Sequence, residues 1–397
     1  MRQPARDRSP RCKLVSRQGS IKHKGKSLPG RRRKNISHGE GHLAELGAIL
    51  VVGPQNSRPR HASCDRPGSE LSPDGDQAVL VEGSLACVEI LGRSVLERTV
   101  ERLCRMGVQI ISVLMDEASS NLHSAFCRPL DNARLHITDE PWAAAAQKLS
   151  EYAERGIETA FVAGLGGYVE FDAEEMLQFH RQERQASTRA FYGQGALDFW
   201  VTDCNRADKT ASNFDLWAVP ATRSVAYPLC GYVNPLAHAR DLRRLAVDAL
   251  QGRCQLSPVG REIKPRVWVD DGAHLHHRAR MVAPAYIGRA SSVREDTLIT
   301  RFSNVESFCD VDYGTVIEDT SVLSNSYVGI WLDVSHAVVW GSKLLNLSRN
   351  AMLNVADASM LRRNIVLRKE ISREIPVEVA GGRLFGSLSQ RSEMVNR

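Results

Sequence analysis

From Val269 onward an aliphatic residue recurs at every sixth position: Val269, Leu275, Met281, Ile287, Val293, Ile299, Val305, Val311, Ile317 and Leu323. If aliphatics are about a quarter of residues, ten in register arise by chance roughly once in a million trials. The residue four after each is Ala273, Ala279, Ala285, Ser291, Thr297, Ser303, Cys309, Thr315, Ser321 and Tyr327, small in every case but the last. This is the hexapeptide pattern of a parallel β-helix, in which each hexad forms one short face of a triangular coil. The aliphatic side chain points inward and the small one fits the tight corner. Three hexads complete a turn, so the spacing predicts Val269, Ile287, Val305 and Leu323 in one inner column. A β-sandwich would instead show period two and no fixed small position. Strict phase stops after Val328, with Val334 and Trp340 as irregular continuations. The repeat region is placed at 266–350 and a C-terminal extension at 351–397, of which 365–397 reads as a polar tail with one short strand.

A different pattern precedes it. Gly47–Gly53 is a short aliphatic run ending in glycine, the signature of a buried parallel strand. Residues 54–76 are rich in Pro, Ser, Arg, Asp and Gly and read as a long loop. Leu96, Val100 and Leu103 keep helical spacing over about 93–106, with Gly107 as the stop. Ile110–Met115 is a second strand, 141–155 a helix ended by Gly156, and Thr159–Ala163 a third strand. Asp172 then caps a helix running to about Arg184, with Glu175 as its capping-box partner. Strands alternating with helices predict an α/β fold over 43–265, a doubly wound parallel sheet with helices on both faces.

Charge separates a tail from the body. The chain has 397 residues and net charge +6. Its first forty residues hold 13 Lys or Arg against Asp7 and Glu40, while the rest holds 39 basic and 44 acidic side chains. Residues 1–42 have too little apolar surface to offset ordering entropy and read as a disordered basic tail. Arg31–Lys34 is a place for nucleic acid or anionic lipid to touch; nucleic acid is not expected elsewhere. No run of 18 apolar residues occurs, so no membrane span is expected. The basic N-terminus lacks the apolar core of a secretory signal. Nine Cys without paired spacing argue against zinc and a disulfide framework, and a cytoplasmic location is expected.

Several segments carry a resemblance. Gly47–Gly53, then Gly92-Arg93-Ser94-Val95-Leu96-Glu97, then Phe161-Val162-Ala163-Gly164 followed by Glu170-Phe171-Asp172 resemble, in order, the opening strand, the G-R-P helix start and the strand, metal loop and helix of the sugar-1-phosphate nucleotidylyltransferases. The match covers about 46–345. The resemblance implies a Rossmann-like nucleotidyltransferase domain, a left-handed hexapeptide β-helix and a place in polysaccharide biosynthesis. It also implies nucleotidyl transfer to a sugar 1-phosphate with Mg²⁺ held by carboxylates, a chemistry that needs preorganised positive charge on the triphosphate.

Four departures stand against catalysis. The glycine-rich phosphate loop reads Gly53-Pro54-Gln55-Asn56-Ser57-Arg58-Pro59-Arg60, where two prolines remove backbone donors. There Arg58 and Arg60 are the candidate catalytic phosphate ligands, and Gly53 and Gln55, with Trp142, the candidate nucleotide contacts. The family lysine before the G-R-P helix is missing from Leu85–Leu91, and no lysine occurs between Lys34 and Lys148. The base loop reads Pro141-Trp142-Ala143-Ala144-Ala145-Ala146. The metal aspartate is missing from Gly164-Leu165-Gly166-Gly167-Tyr168-Val169, so no metal ligand is assigned. Asp270 and Asp271 are placed at the first β-helix corner. The expectation is therefore a pyrophosphorylase-like pseudoenzyme that binds a nucleotide or nucleotide sugar as a regulator, with Mg²⁺ the cofactor only if it is active and none otherwise. Two alternatives stand beside it: an active enzyme with unusual site residues, and a hexapeptide acyltransferase using His274, His276 or His277 as base. A homo-oligomer joined partly through 269–345 is also expected.

Overall fold

A buried apolar run on two faces makes the first strand. In the computed structural model, which describes residues 46–53, 80–126, 130, 132–193, 195–205 and 224–364, β1 is Leu46–Val52. Its residues Ala48–Val52 are all buried, alternating between two separate cores. The chain continues through β2 Glu89–Ile90, β3 Arg93–Ser94, α1 Val95–Arg105, β4 Ile110–Met115, α2 Glu117–Phe126 and β5 Arg134–Ile137. Then come α3 Pro141–Glu154, β6 Thr159–Gly164, β7 Tyr168–Val169 and α4 Ala173–Glu183. Last are β8 Ser187–Tyr192, β9 Gly195–Asp203, β10 Ser224–Pro228, β11 Val233–Asn234, α5 Ala239–Leu250 and β12 Arg261–Lys264. Among these helices none is long and apolar enough to cross a membrane.

The seven-stranded sheet runs β10-β8-β9-β6-β1-β4-β5. β9 lies antiparallel to both β6 and β8, so the sheet is mixed rather than wholly parallel, which corrects the sequence expectation. The β8–β9 pair is a hairpin, and a hairpin needs no crossover helix. One face buries Leu50, Leu96, Phe161, Met176 and Leu245 from β1, α1, β6, α4 and α5. The other buries Ile49, Val51, Leu149, Tyr152 and Trp200 under α3.

Local signals explain the helix ends. Ser94 Oγ accepts from Glu97 N at 3.1 Å while the Glu97 carboxylate accepts from Ser94 N at 2.6 Å, a reciprocal capping box. Asp172 Oδ1 accepts from Glu175 N at 3.0 Å and caps α4.

Past β12 the chain visits three ladders in turn. The first holds Val267–Val269, Ala285–Ile287, Asn304–Val305, Ser321–Val322 and Ala337–Trp340. The second holds His274–Leu275, Ser292–Val293, Asp310–Val311 and Ser326–Val328. The third holds Arg280–Met281, Leu298–Thr300, Val316–Glu318 and Asp333–Ser335. All these pairings are parallel, and Val269 meets Ile287 and Ile287 meets Val305. β12 joins the first ladder antiparallel to Val267–Val269, across the predicted 265/266 boundary. At the far end, antiparallel Lys343–Asn346 and Ala351–Asn354 extend that ladder, and Leu361–Arg363 closes the second.

Two five-residue steps correct the predicted inner column. Val305 pairs with Val322, not Leu323, and the buried coil core continues through Val328, Val334 and Val339 rather than Trp340. A one-residue slip turns a side chain to the other face. Leu323 accordingly leaves the coil interior and is buried in the main core beside the sheet. The small residues that follow the left-handed corners there are Thr320 and Ser326, in place of the predicted Ser321 and Tyr327; Ser321 is buried instead at the junction, donating to Asn304 Oδ1 at 2.6 Å.

Corner chemistry accounts for the fixed small position. Ala290, Asp296, Phe302, Phe308, Asp319, Asn325, Trp331 and His336 all have left-handed φ between 46° and 60°. The next residue carries a short side chain in every case except Leu332, and several reach to the turn above. Ser291 Oγ donates to Glu306 O at 2.6 Å, Thr297 Oγ1 to Asp312 O at 3.2 Å, Ser303 Oγ to Ile317 O at 3.2 Å and Thr320 Oγ1 to Val334 O at 3.2 Å. These contacts tie each corner to the backbone of the next turn.

The described residues lie in one compact unit, and the first ladder packs on the α/β part. Tyr286, Leu323, Val338 and Leu345 share one buried cluster with Leu50, Leu91 and Leu245. Buried charged side chains cross this junction, among them Glu89, which accepts from Ser324 Oγ at 2.5 Å. Glu306 accepts from Leu91 N at 2.8 Å and from Gly92 N at 3.0 Å, both in the β2–β3 turn. Arg243 of α5 donates to Phe302 O at 2.9 Å, Asn304 Oδ1 at 3.2 Å and Asp319 Oδ1 at 2.8 Å. Gly92 has φ +89°, and a Cβ there would stand 2.4 Å from the buried Tyr286 hydroxyl and 2.9 Å from Val259. Gly92→Ala is therefore expected to cost about 2 kcal/mol through left-handed strain and crowding, read from the denaturation midpoint. A loss below about 0.5 kcal/mol would show that the turn relaxes freely.

Candidate functional site

Parallel strands β1, β4, β5 and β6 end along one edge. In open α/β sheets ligands gather outside the carboxyl ends of the strands. Gly53 follows β1 there, beside the chain leaving β6, since Val51 pairs with Gly164 and Leu165 N donates to Val51 O at 2.8 Å. Asp116 follows β4, where its Oδ1 accepts from Ser119 N at 3.2 Å at the start of α2.

The face under α3 carries a denser group. Ala163 pairs with Phe199 across β6 and β9, and on the next residue, Gly164, a Cβ would stand 2.7 Å from the Trp142 ring and 3.0 Å from Asp198 Cβ. Only glycine lets both approach so closely. Trp142 meets Trp200 edge to face at 5.8 Å between centroids. Arg189 of β8 lies over the Trp200 ring at 4.8 Å and pairs with Asp198 at 3.7 Å. Both charged side chains are largely buried, at 15% and 11% exposed. The result is a cation, a carboxylate and two indoles on a glycine floor at the carboxyl edge. Trp200 is fully buried and Arg189 is held by Asp198, so the half-buried Trp142 is the ring of this group that a planar ligand could stack on.

Compared with models of known protein families and with curated proteins, the chain matches none.

The expected site residues fall in three places. Gly53 and Trp142 both lie at the carboxyl edge, on the ends of neighbouring segments. Gln55, Arg58 and Arg60 lie outside the described residues, as does the 1–42 tail. His274, His276 and His277 stand together on the first turn of the coil, with the His276 and His277 rings 4.3 Å apart. His274 and His277 are exposed and His276 half-buried. Asp270 is buried at that corner, its Oδ1 accepting from Asp271 N at 2.8 Å.

The acids downstream of β6 are engaged elsewhere. Glu170 is buried; the Tyr168 hydroxyl donates to it at 3.0 Å and Gln255 N donates to the same oxygen. Asp172 caps α4. Asp198, the carboxylate beside Gly164, faces Arg189. These donors do not fit a divalent cation, which takes several free oxygens at one point. Among the described residues no three His, Cys, Asp or Glu converge as metal ligands. The Leu85–Leu91 segment that lacks the family lysine feeds the β2–β3 turn held by Glu306. Burial pushes the Cys87 thiol on this segment far up, so it is no nucleophile.

Arg189 and Asp198 were not anticipated from the sequence. Their signal was present: Arg189 and Asp198 are opposite charges on consecutive strands, each beside aromatic or aliphatic residues, and such charges pair across a hairpin.

Proposed function

We propose that this chain is a nucleotide-sugar-pyrophosphorylase-like protein that binds a nucleotide or nucleotide sugar without transferring a nucleotidyl group, and so acts as a regulatory homologue. In this reading the mixed sheet is a Rossmann-like nucleotidyltransferase domain, and the three ladders are a left-handed parallel β-helix. The observation that carries it is the carboxyl edge at Gly164–Val169. That segment has no acidic residue of its own, the neighbouring Asp198 is paired with Arg189, and the Trp142 ring lies on Gly164. The transition state of nucleotidyl transfer gathers negative charge, and losing one preorganised charged donor costs about 10²–10³ in rate. Here the metal carboxylate and the lysine are both missing. Trp142 and Gly53 remain as binding groups at this edge.

Calorimetric titration of the full chain with nucleoside triphosphates and nucleotide sugars tests binding. The expected result is weak but saturable binding, which Trp142→Ala reduces by roughly tenfold, the worth of one aromatic stack. Equal heats with and without Trp142, or none with any nucleotide, would remove the binding role.

A further inference from the structure

The outer face of the third ladder has no described element packed on it. Ile299, Ile317 and Val334 point into the coil core, so strand alternation turns their neighbours outward. One outward column is Arg280, Leu298, Val316 and Asp333, aligned by the parallel register. The next is Val282, Thr300, Glu318 and Ser335. Leu298 and Val316 are partly exposed and belong to neither buried core. Val282 is 50% exposed, and Ile330 and Trp331, at the corner leading into this face, are 57% and 68% exposed.

The charges at the ends of the first column are unusual for this coil. Arg278 pairs with Glu295 and Asp296, Arg294 with Asp310, and Arg301 with Glu318. Arg280 and Asp333 are exposed and have no side-chain hydrogen bond or ion pair among the described residues. One lies on the first turn and the other on the fourth, of opposite sign, with two aliphatic residues between them.

We propose that a second copy of this chain docks on this face, antiparallel, with the two-fold axis between Leu298 and Val316. That operation sets Arg280 against the partner's Asp333 and Leu298 against the partner's Val316. It also keeps like corners together, so Trp331 meets the partner's Arg278, a cation beside an indole. A parallel two-fold axis would exchange the two columns. Leu298 would then face Thr300, Val316 would face Glu318, and both end charges would stay unpaired. Only the antiparallel operator makes the column self-complementary, as an isologous interface requires. The face is four strands deep, about 15 Å at 4.8 Å per strand, the dimension of a small interface.

Sedimentation velocity on the full chain tests this. The unmodified protein should dimerise within the range to about 100 µM. Arg280→Asp and Asp333→Arg each set like charges opposite one another twice per dimer, and each should weaken association by roughly 100-fold. Combining R280D with D333R restores opposite charges and should restore the dimer. Melting temperatures measured at concentrations where every variant is monomeric should stay the same, because neither side chain has a partner among the described residues. A strict monomer at about 100 µM, single reversals without effect, or a double variant that stays monomeric would each overturn the proposal.

Discussion

Glu306→Ala should lower the unfolding free energy by about 4 kcal/mol at neutral pH, with no change in the denaturant slope. The side chain is fully buried. It accepts from Leu91 N at 2.8 Å, Gly92 N at 3.0 Å and Asn304 Nδ2 at 2.7 Å. Both turn amides would lose their acceptor, and an unsatisfied buried donor costs about 1–3 kcal/mol. Leu91 has φ 52° in that turn, a left-handed strain that only fixed surroundings sustain. Glu306→Gln keeps the shape and one acceptor oxygen, and should recover about half of the loss. Chemical denaturation followed by tryptophan fluorescence checks both values. A loss under about 1 kcal/mol for the alanine variant would mean that the ladder does not hold the turn.

The junction should also make stability depend on pH in an unusual direction. Burial, the nearby Glu306 and Glu97 carboxylates, and the low polarity around it raise the Glu89 carboxyl to about 7, against the pull of hydrogen bonds from Ser324 and Ser307. Burial raises Glu306 as well, opposed by the Leu91 and Gly92 amides, Asn304 and Arg98. A carboxyl with a raised folded pKa binds its proton more tightly in the folded state. Its contribution is complete below the ordinary carboxylate range and is lost as pH rises towards about 7. The chain should therefore be more stable near pH 5 than near pH 8, with Glu89 contributing up to about 3 kcal/mol. Glu89→Gln should flatten that slope and raise the melting temperature at pH 8, since a neutral amide keeps the Ser324 contact at 2.5 Å. A steeper slope in the variant, or lower stability at pH 8, would contradict the assignment.

Legibility in the sequence followed the range of each interaction. β4 coincides with the predicted Ile110–Met115, and β1, β6, α1, α3 and α4 lie within two residues of their expected ends. Each is marked by a local run, cap or stop that acts within one element. Helix α5 was not anticipated, although Leu242, Leu245, Ala246 and Ala249 keep helical spacing and are buried. The inner column failed at Leu323 because Val322 and Leu323 are both aliphatic. Counting by six selects the second, and only the pairing of Val305 with Val322 identifies the first.

Long-range chemistry left little trace. Glu306 and Leu91 stand 215 residues apart, and nothing in either neighbourhood specifies the other. The Trp142–Gly164–Asp198 group is similar: its members come from α3, β6 and β9, and only the sheet brings them together. Trp142 was anticipated as a nucleotide contact in the base loop, whereas its contact with Gly164 required the fold.

The central claim is binding without turnover, and Mg²⁺-dependent pyrophosphate release tests it most directly. The full chain is incubated with each of the four common nucleoside triphosphates and a panel of sugar 1-phosphates. The account predicts no release above background with any pair, because Gly164–Val169 offers no metal carboxylate and Leu85–Leu91 no lysine. Gly166→Asp with Leu85→Lys restores both groups and is the variant in which release should first appear. Robust release by the unmodified chain, abolished by Arg58→Ala, would contradict the account and make Arg58 a working phosphate ligand.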